Sequence, residues 1–168
     1  VILRGNNKQN LFNDDIDRKF FIDRLRKYSK ELKIAVHAYC LMNNHVHILI
    51  GNASQNLSLL VQKIANSYVF YFNRKYERCG HLFQGRFKSE PILDDVHFKT
   101  VYRYILQNIE KSGLAKLDQY RWNSFGALNR CRKNSFINVE YIMGMFSSKK
   151  LLLEFLFQPE NIQCMEYE

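Results

Sequence analysis

Two β-rich runs joined by a pair of asparagines, "KIAVHAYCLM" and "HVHILIGN" around Asn43-Asn44, fix the centre of this chain. Asparagine tolerates the left-handed backbone of a tight turn, so the pair predicts a hairpin. Along a strand, residues i and i+2 share a face. Val46, Ile48 and Ile50 therefore point together toward a core, and His45 and His47 project side by side from the other face. Two imidazoles held on one sheet face are either a metal site or a coincidence.

Outside the hairpin the pattern turns helical. "DDIDRKFFIDRLRKYSKEL" (14–32) places acids first and bases later, which matches a helix dipole, with Ile16, Phe20, Phe21 and Leu25 near helical spacing. "LSLLVQKIANSYVFYFNRKY" (57–76) carries an apolar stripe from Leu57 through Leu60, Val61, Ile64 and Tyr68 to Phe72. "GHLFQGRFKSEPIL" (80–93) reads as a loop leading into a fourth strand near Ser89 to Leu93. "DDVHFKTVYRYILQNIEKSG" (94–113) is a third long helix, with Asp94 and Asp95 as cap and first-turn acids and Gly113 as the C-terminal cap. "VILRGNN" at the start reads as the end of a strand running into a turn. The order β-α-β-β-α-β-α predicts an α+β domain of ferredoxin-like type, an antiparallel sheet with helices. "RWNSFGAL" is an irregular connector anchored by Trp122, and "NVEYIMGMF" and "SKKLLLEFLF" predict a small helical tail.

A length of 168 residues suits one domain, and 46% hydrophobic residues suffice for a core. Twenty-five Lys and Arg against 16 Asp and Glu leave a net charge of +9, which makes a polyanion the first partner to consider. Cys40, Cys79, Cys131 and Cys164 are too widely spaced for a zinc ribbon and read as free thiols in a reducing cytoplasm. No apolar run approaches the roughly 18 residues of a membrane span, so no membrane partner is expected.

The third helix has two faces. Phe98, Val101, Tyr102, Ile105 and Ile109 recur at the spacing of a buried stripe, whereas Thr100, Tyr104, Asn108 and Lys111 lie on another. Two nitrogen ligands from His45 and His47 and an amide oxygen from Asn108 would suit Mg²⁺, Mn²⁺ or another divalent ion. Gln107 is the backup amide should the helix register differ. Tyr104, one turn before Asn108, would be a nucleophile beside a phosphate polarised by that ion.

The chain resembles the single-tyrosine HUH transposases, the insertion-sequence-200-type enzymes and their REP-associated relatives. The resemblance rests on "RGNNKQNLF", "AYCLMNNHVHILI", "FNRKYERCGHLFQGRFKS", "YILQNIEKSGL" and "RWNSF", five pieces in that order. It covers residues 1–125 and leaves 126–168 as a helical C-terminal extension. It implies that His45 and His47 are the HUH pair, that Tyr104 is the catalytic tyrosine, and that Asn108 is the third metal ligand. It also implies that the tyrosine helix packs beside the HUH strand. The activity implied is metal-dependent cleavage and rejoining of single-stranded DNA, beside a small hairpin, through a 5′-phosphotyrosine. Arg86, Lys88, Arg4, Arg74 and Lys75 are the candidates for DNA backbone contacts. Members of the family act as homodimers that donate the tyrosine to the partner, or as monomers acting in cis.

Among the remaining histidines, His37 shares the parity of Tyr39 and reads as structural, His81 as DNA-facing or exposed, and His97 as a helix-start residue. The competing function is a DNA- or RNA-binding module that keeps the fold without the reaction. Barrel hydrolases with an HxH pair need about 250 residues. Histidine-triad proteins want a third alternating histidine where this chain has Leu49.

Overall fold

A computed structural model describes residues 1–52, 56–129 and 135–158. The elements are β1 (Ile2–Arg4), a 3₁₀ turn (Asn6–Lys8), α1 (Asp15–Glu31), β2 (Ala35–Leu41), β3 (His45–Gly51), α2 (Leu57–Lys75) and α3 (Asp95–Lys111). Three short helices follow: α4 (Gly126–Asn129), α5 (Val139–Met143) and α6 (Lys149–Phe157). The sheet is antiparallel in the order β1-β3-β2, so β3 is central.

Each face of this sheet carries its own core. Leu3, Val36, Tyr39, Leu41, Val46 and Ile48 pack with Phe21 and Leu25 of α1 and Leu60, Ile64 and Tyr68 of α2. Ala38, Cys40 and Leu49 face the other way and pack with Phe98, Tyr102, Ile105 and Ile109 of α3 and with Ile142, Leu152 and Leu156 of the C-terminal helices. The α+β architecture expected from the sequence is thus present, and the predicted buried stripe of α3 is buried in full.

Three local expectations are corrected. No strand forms at Ser89 to Leu93. The chain instead touches the outer edge of β1 earlier, through isolated bridges from Phe83 to Gly5 and from Lys88 to Ile2. Pro91 has no N–H to give a ladder, and Ser89, Glu90 and Pro91 are all exposed. The Asn43-Asn44 turn forms, but neither residue has a positive φ. Its asparagines act as acceptors: Leu11 N–H donates to the Asn43 carbonyl and Gly5 N–H to that of Asn44, each at 2.7 Å, and Arg18 Nη2 donates to Asn43 Oδ1 at 3.0 Å. Gly5 is required there, because a Cβ would collide with the Gln9 carbonyl. Finally, a β-bulge between Val36 and Ala38 breaks the parity of His37 and Tyr39. The His37 ring packs against Phe98 and Tyr141, on the α3 side of the sheet.

Trp122 is buried and its connector closes the free edge of β2. Leu41 N–H donates to the Trp122 carbonyl at 3.0 Å and Tyr39 N–H to Ser124 Oγ at 2.9 Å. Gly113 follows α3 with φ +70, as a left-handed C-terminal residue should.

The first core is tied by a buried carboxylate. Asp17 is fully buried and accepts from Asn13 N–H, from the phenols of Tyr71 and Tyr76, and from Lys75 Nζ at 2.7 Å. Burial pushes its acidity down, but the hydrogen bonds, led by that from Lys75, outweigh it and hold the carboxyl below the usual 3.8. Its stabilisation is therefore complete above that value and fades as pH falls through the lower folded one. Asp17→Asn should cost about 3 kcal/mol in urea unfolding at pH 7 and flatten the loss of stability below pH 4.

Candidate active site

β3 sets the site because its alternation sends Val46 and Ile48 into the first core and His45 and His47 toward α3. The two imidazole centroids lie 4.9 Å apart with the rings at 83°. His45 Nδ1 donates to Asn44 Oδ1 at 2.7 Å, so its lone pair sits on Nε2. Sequence reading used Asn44 only as a turn residue. Its position directly before a histidine was the available signal.

α3 crosses this pair. Its buried stripe seats the helix on β2 and β3, and the adjacent stripe then meets the histidines. Asn108 Nδ2 lies 3.4 Å from His47 Nε2, and its amide also bonds His45. One turn back, the Tyr104 ring stands edge-on to His47 with centroids 5.7 Å apart. The Lys111 ammonium sits 4.9 Å from the centroid of the same tyrosine ring. Tyr104 is half-buried, which leaves its phenol beside a cavity of about 860 Å³ lined also by His47, Lys88, Glu90, Phe98 and Ile105.

Both histidines are neutral at ordinary pH. Burial, aided by the Arg4 charge and opposed by the Asn108 bond, lowers His45 to about 4. Burial, then the charges of His45, the N-terminus and Arg4, lowers His47 to about 3. Neutral imidazoles beside a carboxamide are a donor set that suits a divalent cation, the amide being turned so that its oxygen faces the ion. Among the described residues, no three His, Cys, Asp or Glu side chains gather to hold a metal; the polar side chain that meets the histidine pair from α3 is the Asn108 amide.

The basic candidates separate into three places. Arg4 pairs across from His45 in the β1–β3 ladder, and Lys88 lines the cavity while its backbone bonds Ile2. Arg74 and Arg86 line a second groove, between α2 and the 78–87 loop, together with Arg78 and the exposed Phe70. Lys75 turns inward, with Nζ 2.7 Å from both Asp14 and Asp17. Gln107, the alternative amide, is buried against the C-terminal helix and donates to the Leu156 carbonyl, away from the histidines. His97 accepts from Leu93 N–H at the start of α3, and His81 is exposed.

The sequence model of the family described as "Transposase IS200 like" matches residues 1–108. The chain belongs to that family of transposases. No curated protein matches its sequence. Among solved structures, the REP-associated tyrosine transposase bound to a REP hairpin superimposes with a TM-score of 0.64 and 14% identity, over 75% of this chain and 74% of that one. The match at that identity is one of fold. No helix among the described residues is long and apolar enough to cross a membrane.

Imidazoles in the unfolded chain titrate near 6.5, above both folded values. Acidification below pH 6.5 therefore favours unfolding, and stability returns as pH rises. An NMR titration should find His45 protonating near pH 4 and His47 near pH 3.

Proposed function

We propose that this transposase cuts and rejoins single-stranded DNA with Tyr104 as nucleophile. The observation that carries the reading is that Tyr104 of α3 and His47 of β3 line one cavity, while Asn108, one turn on, meets the same His47. The Tyr104 phenol gives up its proton to solvent and its oxygen attacks a phosphodiester phosphorus. A Tyr104–phosphate bond to the 5′ side forms, the bond to the 3′ oxygen breaks, and that oxygen takes up a proton to leave as a 3′-OH. A 3′-OH from another end later attacks the same phosphorus, restores a phosphodiester and frees Tyr104. The phosphodiester energy is retained in the protein link, so no nucleotide triphosphate is needed.

His45, His47 and Asn108 would hold a Mg²⁺ or Mn²⁺ ion, which when bound polarises the phosphate as a Lewis acid. Asn44 fixes the His45 tautomer that this requires. Arg4 and Lys88 contact the DNA backbone beside the scissile phosphate, and Arg74 and Arg86 contact it from the second groove. The solved relative in fold holds a REP hairpin, which supports a substrate whose unpaired strand flanks a hairpin.

Single-stranded DNA from the flanks of the gene, incubated with Mn²⁺ or with EDTA and run on a denaturing gel, should give a metal-dependent protein–DNA band. Tyr104→Phe should bind the DNA equally and give no band. Binding by the unaltered protein without any band marks a binding module instead. Arg4→Ala or Lys88→Ala should each lower the salt slope of single-strand binding by about 0.7. Lys75→Ala, which releases an ion pair of the core, should leave that slope unchanged.

A further inference from the structure

α3 has a third stripe, one residue before that of the site. Lys99, Arg103 and Gln107 recur at intervals of four and all meet the C-terminal segment. Lys99 Nζ lies 5.0 Å from the Phe146 ring centroid, and the Arg103 guanidinium 4.4 Å from that of Phe155. Gln107 Nε2 donates to the carbonyls of Leu156 at 2.6 Å and Gln158 at 3.0 Å. These carbonyls end α6, where the last turn of a helix leaves acceptors without partners of its own. Arg103 and Gln107 are both buried, a costly placement for polar side chains unless their geometry is used.

We infer that α6 is a clamp that sets the rotation of α3 about its own axis, and that Gln107 is a positioning residue for Tyr104 and Asn108. Successive residues of a helix are 100° apart, so a small roll of α3 carries Tyr104 and Asn108 off the His45–His47 pair. The buried apolar stripe of α3 sets its coarse orientation on the sheet, but apolar burial alone is non-directional and leaves small rolls weakly opposed. Two hydrogen bonds from a single amide nitrogen do have direction. Their acceptors, Leu156 in α6 and Gln158 just after it, lie well past residue 108, where the family match ends. The clamp rests on the assignment of Tyr104 and Asn108 made above.

Gln107→Leu removes both bonds, and Phe155→Ala removes the ring under Arg103. Neither side chain lies at the histidine pair. In the full-length chain each should slow single-turnover formation of the protein–DNA adduct at least about tenfold, with the Kd for the same DNA changed less than about twofold. Unchanged rates would overturn the clamp. So would equal losses of rate, DNA binding and melting temperature, which a purely structural contact would give. Absence of any adduct with unaltered protein condemns the tyrosine chemistry, and NMR then decides the clamp. The cross-relaxation expected between the Asn108 amide and the His47 ring should disappear in Gln107→Leu; its retention at full intensity overturns the proposal.

Discussion

One strand serves two cores, and everything at the site follows from that. β3 is hydrogen-bonded on both sides, so it cannot shift register without breaking both ladders. Val46 and Ile48 lock it to α1 and α2, and a slip of one residue would bury His45 and His47 among Phe21 and Leu60. Neutral histidines at a defined spacing, His47 buried and His45 half-buried, are therefore a product of the packing on the opposite face. The asparagine turn adds orientation: Asn43 is held by Leu11 and Arg18, and Asn44 is held by Gly5 while accepting from His45.

The two cores differ in character. On the first, a sealed carboxylate gathers Lys75, Tyr71 and Tyr76 and bonds the start of α1 to the end of α2. Its partners satisfy it, so it is a fastening and presents no open chemistry. On the second, the polar groups are only partly engaged. Tyr104 and Asn108 border open space, whereas Tyr102, two residues before Tyr104, is fully buried with its hydroxyl lacking a hydrogen-bond partner. The same helix thus carries one tyrosine sealed in apolar packing and one at a cavity.

Much of this was legible in the amino-acid order because it depends on period. The alternation of β3 and the stripe of α3 locate His45, His47, Tyr104 and Asn108 without any knowledge of contacts. What escaped depended on events that periodicity does not register. A bulge at Val36/Ala38 turned His37 toward Phe98. The fourth-strand expectation missed the bridges at Phe83 and Lys88, because two isolated pairings leave no alternating run to read. Lys75 looked like a surface base in "FNRK" because the acids that hold it, Asp14 and Asp17, come from a helix about 60 residues earlier in the chain. Gln107 looked interchangeable with its neighbour Asn108, yet one residue of helix separates a group facing the histidines from one facing α6.

The treatment of the sheet margins has a consequence for self-association. The outer side of β1 is occupied at Phe83 and Lys88, and the outer side of β2 at Asn123 and Ile137. Strand addition, in which two molecules fuse their sheets into one continuous ribbon, needs a row of unsatisfied backbone groups. Here a second copy would first have to peel away the 83–88 segment, and Lys88 with it, or the connector at Asn123. Ribbon fusion would thus strip Lys88 from the wall of the Tyr104 cavity or open the edge of β2, so a pairing of two copies that leaves both intact does not run through the sheet margins.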